Sequence, residues 1–306
     1  MRIAFINTLT KIAKSNKNVV LLTGDLGFSV FENYMEKLPN QFLNAGISEQ
    51  NMTGMAAGMA MEGKIPYIFS IVPFVTMRNF EQIRNDICYQ NLNVKIVGVG
   101  AGFSYGSYGH THHGLEDIGI LRTLPNLTIF SPGDPFEAAF VTKKAFSING
   151  PVYIRLGRAG EPVIHNENDK LQVGKGAIIQ KGSDICIFVT GAMLATALSV
   201  SQKLARNGIS VYLMSMHTIK PLDIGLIRES FDMKAIFSIE EHFITGGLGS
   251  AIAEVLAENG YKGIFKRFGV PDKFTKEIGN QEYMRKINGL SADSIAAIIL
   301  KSITHA

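Results

Sequence analysis

Short apolar runs rich in β-branched residues alternate along this chain with longer segments whose apolar residues return every three or four positions. The runs at 19–23, 65–71, 94–99, 127–130 and 152–156 predict strands buried on both faces. Segments 80–89, 115–124 and 135–147 predict helices. Pro135 suits a first helical position and Asp134 an N-cap before it. Residues 161–176 break the pattern. They are polar, with Glu161-Pro162 and a run Asn-Glu-Asn-Asp-Lys at 166–170, and read as a linker. Alternation then resumes, with strands near 185–190, 211–216, 235–239 and 265–268 and helices at 195–207, 224–231, 250–258 and 291–304. The expected fold class is α/β. Two domains, 1–160 and 177–306, each carry a mostly parallel sheet flanked by helices. No internal repeat is visible.

Composition narrows the classes. Of 306 residues 46% are hydrophobic and 18% charged, which excludes a disordered chain. The net charge of +4 is small and the basic residues are scattered, so no nucleic-acid partner is expected. Cys88 and Cys186 lie far apart, which excludes a disulfide framework and favours a reducing compartment. No apolar run reaches the roughly 18 residues of a membrane span. The apolar start at Met1 turns polar at Asn7, unlike a signal peptide, and Met1 reads as a native start. A cytoplasmic protein with no membrane partner is expected.

Three segments carry candidate chemistry. Gly98-Val99-Gly100-Ala101-Gly102 follows a predicted strand, but G-x-G-x-x-G fails at Phe103 in one frame and at Tyr105 in the other. Gly246-Gly247-Leu248-Gly249 also lacks that spacing, and close packing of a helix start on a sheet accounts for it better. His110-Thr111-His112-His113 holds three of the seven histidines. A metal site, a structural turn and an active-site loop are all open. The last is favoured, because a tight loop rarely aims three rings at one ion and no cysteine or carboxylate set completes a site. In Asn44-Ala45-Gly46-Ile47-Ser48-Glu49, Ser48 is an expected N-cap and Glu49 falls in the first helical turn. The plain reading is a favourable charge on the helix dipole. Yet helix 53–61 is apolar and small on all sides, so it should be buried, and a carboxylate entering a buried interface needs a partner or a raised pKa.

Residues 44–58 resemble the glutamate motif of the transketolase family of thiamine-diphosphate enzymes, (D/N)-A-G-I-x-E-Q-N-x-x-x-x-A-A-G. Gly109-His110-Thr111-His112-His113 resembles that family's G-P-T-H-Q. Leu121-Arg122-Thr123-Leu124-Pro125-Asn126-Leu127, with Pro132 and Asp134 beyond, resembles L-R-x-I-P-N-(L/M)…P-x-D. Ile219-Lys220-Pro221-Leu222-Asp223 and Glu240-Glu241-His242 with Gly246-Gly247-Leu248-Gly249-Ser250 resemble its C-terminal domain. The matches fall in order and span essentially the whole chain.

The resemblance implies a pyrimidine-binding domain followed by the transketolase C-terminal domain. In that family the cofactor lies between two chains, and a separate domain with G-D-G and a later N-N holds its diphosphate and Mg²⁺. Gly24-Asp25-Leu26-Gly27 matches the start of the pyrimidine-binding domain instead, which puts Asp25 at the cofactor, and Asn51 belongs to the glutamate motif. The chain is therefore expected to be half of a split enzyme moving a two-carbon ketol unit between sugars. Thiamine diphosphate and Mg²⁺ would be shared with an N-terminal transketolase subunit that holds the metal, with no metal ligand from this chain. Self-association into a heterotetramer with two of each chain is expected.

By resemblance Glu49 is the glutamate that hydrogen-bonds N1′ of the aminopyrimidine, favouring the imino tautomer whose 4′ nitrogen takes the C2 proton. Phe74 is the aromatic that stacks on that ring, unless it is a core residue at a helix start, and Met77 replaces a family aromatic. His112 would hydrogen-bond a substrate oxygen as charge develops. Arg158, with Arg155 as neighbour, and Ser29 and Arg2 fall at or near phosphate contacts. Arg78 and Arg84 could equally be interface or surface charges. Three positions depart from the family. Tyr108 stands where an aspartate reads the donor's C2 hydroxyl, Gly100 stands where a further histidine is usual, and His110 replaces a proline or similar residue. The donor pocket is therefore expected to be specialised, with Tyr108 and His110 on the substrate side. Other readings are a deoxyxylulose-phosphate-synthase-like enzyme starting from pyruvate, the beta subunit of a 2-oxo-acid dehydrogenase, and a non-catalytic partner. Retention of Glu49, Phe74 and His112 together argues against the last.

Overall fold

Runs that are apolar at every position must hide both faces, and they do so as inner strands. In the computed structural model, which describes residues 1–304, two sheets form. The strands are β1 (Val19–Thr23), β2 (Phe42–Asn44), β3 (Ile65–Ile71), β4 (Lys95–Val99), β5 (Thr128–Phe130), β6 (Val152–Leu156), β7 (Ala177–Gln180), β8 (Ile185–Val189), β9 (Val211–Ser215), β10 (Thr218–Lys220), β11 (Ala235–Phe243) and β12 (Ile264–Val270). The first sheet has the order β10-β5-β6-β4-β3-β1-β2 and is parallel except at β10. The second has the order β12-β11-β8-β9-β7 and is parallel except at β7. The fold is α/β, as expected.

The helices are α1 (Arg2–Ser15), α2 (Glu32–Lys37), α3 (Glu49–Met61), α4 (Val72–Thr76), α5 (Phe80–Gln82), α6 (Asp117–Leu121), α7 (Pro135–Ser147), α8 (Leu194–Ala205), α9 (Ile224–Glu229), α10 (Leu248–Glu258), α11 (Gln281–Ile287) and α12 (Ala292–Thr304). One core lies under α1 and α7 around Phe5, Leu9 and Val141. A second runs from Met52, Ala56 and Ile118 to Phe188, Ile236 and Leu248, so it joins the two sheets. A third lies under α8 and α12. Strand β8 shows the two-residue period, with Ile185, Ile187 and Val189 in the third core and Cys186 and Phe188 in the second. Among the described residues no helix is long and apolar enough to cross a membrane.

Several local expectations shift. Helix α1 is an addition: its stripe of Phe5, Ile6, Leu9 and Ala13 is buried on the first sheet. Helix 115–124 contracts to α6, because the backbone around it is engaged elsewhere. Gly114 pairs with Gly102, and the Phe243 amide donates to Leu115 O. Helix 80–89 becomes α5 followed by wider π turns over Ile83–Cys88. Strand β10 follows β9 in the chain yet pairs with β5 of the first sheet. The start of α7 is as expected, with Asp134 accepting from the Glu137 amide at 2.8 Å and Pro135 in the first turn.

The Glu240-Glu241-His242 run on β11 ties the second sheet to its surroundings. Glu240 takes the amides of Leu248 and Gly249 at 2.7 and 2.8 Å, so an internal carboxylate satisfies the start of α10. A Cβ at Gly247 would overlap that carboxylate, which is the close packing expected of this glycine-rich start. His242 accepts from the Gly119 amide at Nε2, 3.1 Å, and donates from Nδ1 to Phe243 O, 2.7 Å. Both ring nitrogens are used in the neutral form, and burial depresses its pKa to about 4. Below its ordinary value of 6.5 the unfolded chain takes a proton that the folded one refuses. Stability is therefore expected to fall as pH drops from 6.5 toward 4, and urea denaturation of His242→Gln should show a shallower fall over that window.

Candidate active site

Parallel strands end on one edge, and open α/β sheets bind ligands outside that carboxyl edge, where the strand order reverses. Here β2 and β3 lie on opposite sides of β1. The chain after β1 carries Gly24, Asp25 and Ser29, the chain after β2 leads to Glu49, and β3 feeds Phe74 and Arg78. The loop after β4 brings Tyr105, Tyr108, His110 and His112, and the chain after β6 carries Arg158. Residues far apart in sequence thus meet at one edge.

Glu49 is 1% exposed. Its Oε1 accepts from Ser70 Oγ at 2.9 Å and its Oε2 from Arg78 Nη1 at 2.7 Å. Of the two expected remedies for a buried carboxylate, a charged partner is present. Gly24 closes the floor, since a Cβ there would stand 3.3 Å from Oε1. Ser48 occupies the N-cap position of α3 but does not cap it, because its hydroxyl donates to Ala45 O at 2.8 Å. Helix α3 is not buried all round: Gln50, Asn51, Gly54, Gly58 and Met61 form an exposed face.

Phe74 is half-buried, one turn into α4. The Arg78 guanidinium lies over its ring, 4.7 Å from the centroid, and His112 meets it edge-on at 5.2 Å. Tyr108 packs on His112 at 5.3 Å and Tyr105 on Tyr108 at 5.7 Å. Arg158, exposed, lies over Tyr105 at 5.3 Å. Glu49, Phe74, His112, Tyr108 and Arg158 are therefore linked in one continuous series of contacts. The histidine rings diverge: His110 packs on Phe274, His112 on Phe74, and His113 is buried against Phe103. Among the described residues no group of three His, Cys, Asp or Glu side chains is placed to hold a metal ion. Partial burial lowers the pKa of His112, so at neutral pH its ring has one donor and one acceptor nitrogen.

The remaining candidates separate. Arg155 is buried; its Nε donates to Asp117 at 2.7 Å and its Nη2 to Gly114 O at 2.7 Å and Glu241 O at 3.0 Å. It serves as a buried ion-pair partner, 2% exposed, with Nε and Nη2 turned to these groups. Asp25 and Asn44 exchange two hydrogen bonds, at 2.9 and 3.1 Å. Met77 is exposed. Ser29 sits in the exposed loop after β1 at φ +62°, its amide on Glu32. Arg2 opens α1 beside Met1, whose amine pairs with Glu161 at 2.7 Å.

Sequence reasoning missed Ser70 and Tyr105. A serine inside an otherwise apolar strand is a signal for the first, since a buried hydroxyl needs a partner. Gly100 is the signal for the second. It sits at φ +85°, and a Cβ there would collide with the Tyr105 ring. That collision also explains why a histidine is absent at position 100. The edge as a whole offers a buried hydrogen-bonding carboxylate beside a half-exposed aromatic face, flanked by a neutral imidazole and an exposed guanidinium. A flat heteroaromatic ring with a polar edge fits the first pair. His112→Ala is expected to lower kcat on the order of a hundredfold while leaving ring binding nearly unchanged, which single-turnover kinetics alongside cofactor titration would check.

Residues 1–160 match the family described as transketolase, pyrimidine binding domain. Residues 174–295 match that described as transketolase, C-terminal domain. An apulose-4-phosphate transketolase subunit from Actinobacillus succinogenes is 38% identical over 87% of this chain and 86% of its own length. A 6-deoxy-6-sulfo-D-fructose transketolase subunit from Clostridium sp. is 35% identical over 96% of this chain and 92% of its own. A solved structure, a split gene transketolase described as an inactive beta4 tetramer, superposes with TM-score 0.88 at 38% identity, covering 98% of this chain and 97% of that one. The chain spans about half of a 1-deoxy-D-xylulose-5-phosphate synthase from Gloeothece citriformis, 47% of its length at 34% identity.

Proposed function

The chain belongs to the transketolase family, and from that footing we propose that it is the C-terminal subunit of a two-chain, thiamine-diphosphate-dependent transferase that moves a two-carbon ketol unit between sugars. The observation that carries this reading is the buried Glu49 carboxylate set beside the half-exposed Phe74 ring. Residues 1–160 would form the pyrimidine-binding domain, 161–176 the linker and 177–306 the C-terminal domain. When bound, thiamine diphosphate would supply the nucleophilic carbon and electron sink that two-carbon transfer needs and that no side chain of this chain offers. Glu49 would hold N1′ of the aminopyrimidine, with Ser70 fixing its other oxygen. Phe74 would pack on the ring, and His112 would hydrogen-bond a substrate oxygen in its neutral form. Arg158 would meet a phosphate or similar anion, because its guanidinium is exposed and, among the described residues, is held only over an aromatic ring. Ser29, in the loop after β1, and Arg2, at the start of α1, would add further contacts to that anion. Tyr105 and Tyr108 would wall the donor side, which supports a donor other than that of a general pentose-phosphate enzyme.

The partner would be an N-terminal subunit holding the diphosphate and Mg²⁺, with two copies of each chain in the assembly. Around the Glu49 edge the loops carry exposed apolar side chains, Phe28 at 79% and Ile47 at 75%, and an apolar rim of this kind suits a covering chain. Cys88 and Cys186 are unpaired and buried, which supports placement in the reducing cytoplasm. The test is turnover by this chain mixed with its complementary subunit, thiamine diphosphate and Mg²⁺. Two-carbon transfer from a ketose donor to an aldose is expected. Turnover of pyruvate instead would favour the deoxyxylulose-phosphate-synthase-like reading, and failure to bind the cofactor would leave a non-catalytic subunit.

A further inference from the structure

Arg78 makes both contacts that the proposed pyrimidine site would offer to its ring. Its guanidinium carbon lies over the Phe74 ring, 4.7 Å from the centroid, and its Nη1 donates to Glu49 Oε2 at 2.7 Å. A guanidinium is a flat N–C–N unit with N–H groups in its plane. It therefore matches in shape the N–C–N edge of an aminopyrimidine lying on an aromatic face and meeting a carboxylate. Glu49 explains why such a group is needed. The carboxylate is 1% exposed, and a buried carboxylate without a cation or donor is costly. Ser70 satisfies only Oε1. Arg78 itself is only lightly held. Its side chain is 44% exposed and Glu49 is its sole ion-pair partner among the described residues. It stands just beyond α4 on a stem long enough to swing into solvent.

We propose, on the footing of the thiamine-diphosphate reading, that Arg78 is a built-in surrogate for the cofactor's aminopyrimidine. It keeps Glu49 paired and Phe74 covered, and it must swing away before the ring can bind. The swing makes Arg78 a gate on cofactor entry. A binding-competent fraction below one reduces apparent affinity by that same fraction. A half-exposed ion pair reinforced by a cation–π contact would hold the closed arrangement by roughly five- to tenfold.

The test uses the assembled two-chain complex, with thiamine diphosphate and Mg²⁺ as the probe, comparing wild type with Arg78→Met and Arg78→Lys. Stopped-flow quenching of intrinsic tyrosine fluorescence gives association and dissociation rates, and calorimetry gives Kd. The surrogate role predicts that Arg78→Met binds about five- to tenfold tighter. The gain should lie in the association rate, with dissociation unchanged, because only the competing arrangement is removed. Arg78→Lys keeps the charge without the plane and should fall between the two. If wild type binds and Arg78→Met binds equally or more weakly, or gains only through slower dissociation, the surrogate role is overturned and the cofactor reading stands. If wild type complex does not bind the cofactor, both fall.

Discussion

Replacing Glu49 by alanine is expected to reduce turnover of the assembled enzyme on the order of a hundredfold or more, the scale of losing a positioned proton-transfer group. The carboxylate is the buried acceptor at the carboxyl edge of the first sheet that both Ser70 and Arg78 address. Its removal leaves Ser70 with a small unmet hydrogen bond and frees Arg78 to hydrate, since that side chain is already 44% exposed. Folding should therefore change little, and a melting temperature close to that of wild type would show that the loss is chemical. Glu49→Gln preserves shape and a hydrogen bond yet cannot exchange a proton at the same atom, so it should be nearly as impaired. Steady-state assays of the two-chain complex decide the matter, and activity above about a tenth of wild type would remove Glu49 from the proton-handling role.

The second large effect concerns stability. Asp117 and Arg155 form an ion pair at 2.7 Å in which both side chains are buried, and Tyr153 donates to the same Asp117 oxygen at 2.6 Å. Arg155 also donates to Gly114 O and Glu241 O, so one guanidinium holds β6, the His112 loop and β11 together. Asp117→Ala leaves that cation buried without its anion. Breaking a buried pair from one side costs about 3–5 kcal/mol. At a few degrees per kcal/mol, this lowers the melting temperature by roughly 10 °C. Calorimetry of the full chain should show this, and a drop of only a degree or two would mean that water reaches Arg155. The His112 loop should also loosen, so at 25 °C activity is expected to fall further than the folded fraction does.

Local pattern and fold agree where burial is symmetric. Strands β1, β3 and β6 coincide with apolar runs because inner parallel strands need an unbroken run, and α7 starts where Asp134 and Pro135 mark it. Strand β10 has three residues and pairs with a segment some ninety positions earlier in the chain, so its signal is tertiary and lies outside any local window. Helix α6 is short because Gly114 and Leu115 bond to Gly102 and Phe243, partners that only the folded chain supplies. The site divides in the same way. Glu49 and His112 could be singled out as candidates because each lies in a contiguous motif, and the fold brings both to one edge with Phe74. Arg155 sits two strand positions after Tyr153 and three before Arg158, and nothing local separates an inward guanidinium from an outward one at a strand end. Its burial follows from Asp117, 38 residues away. Arg78 stood open between surface and interface, and its actual partner emerged only when β3 and α3 packed side by side.

On the proposed reading this chain holds one side of a cofactor site and a second chain holds the other. A calorimetric titration probes that division without relying on turnover. Thiamine diphosphate, with Mg²⁺ present, is titrated into this chain alone, into the complementary subunit alone and into their equimolar mixture. Saturable binding is expected in the mixture, with none of comparable strength in this chain alone. Tight binding of thiamine diphosphate by this chain alone would refute the shared site.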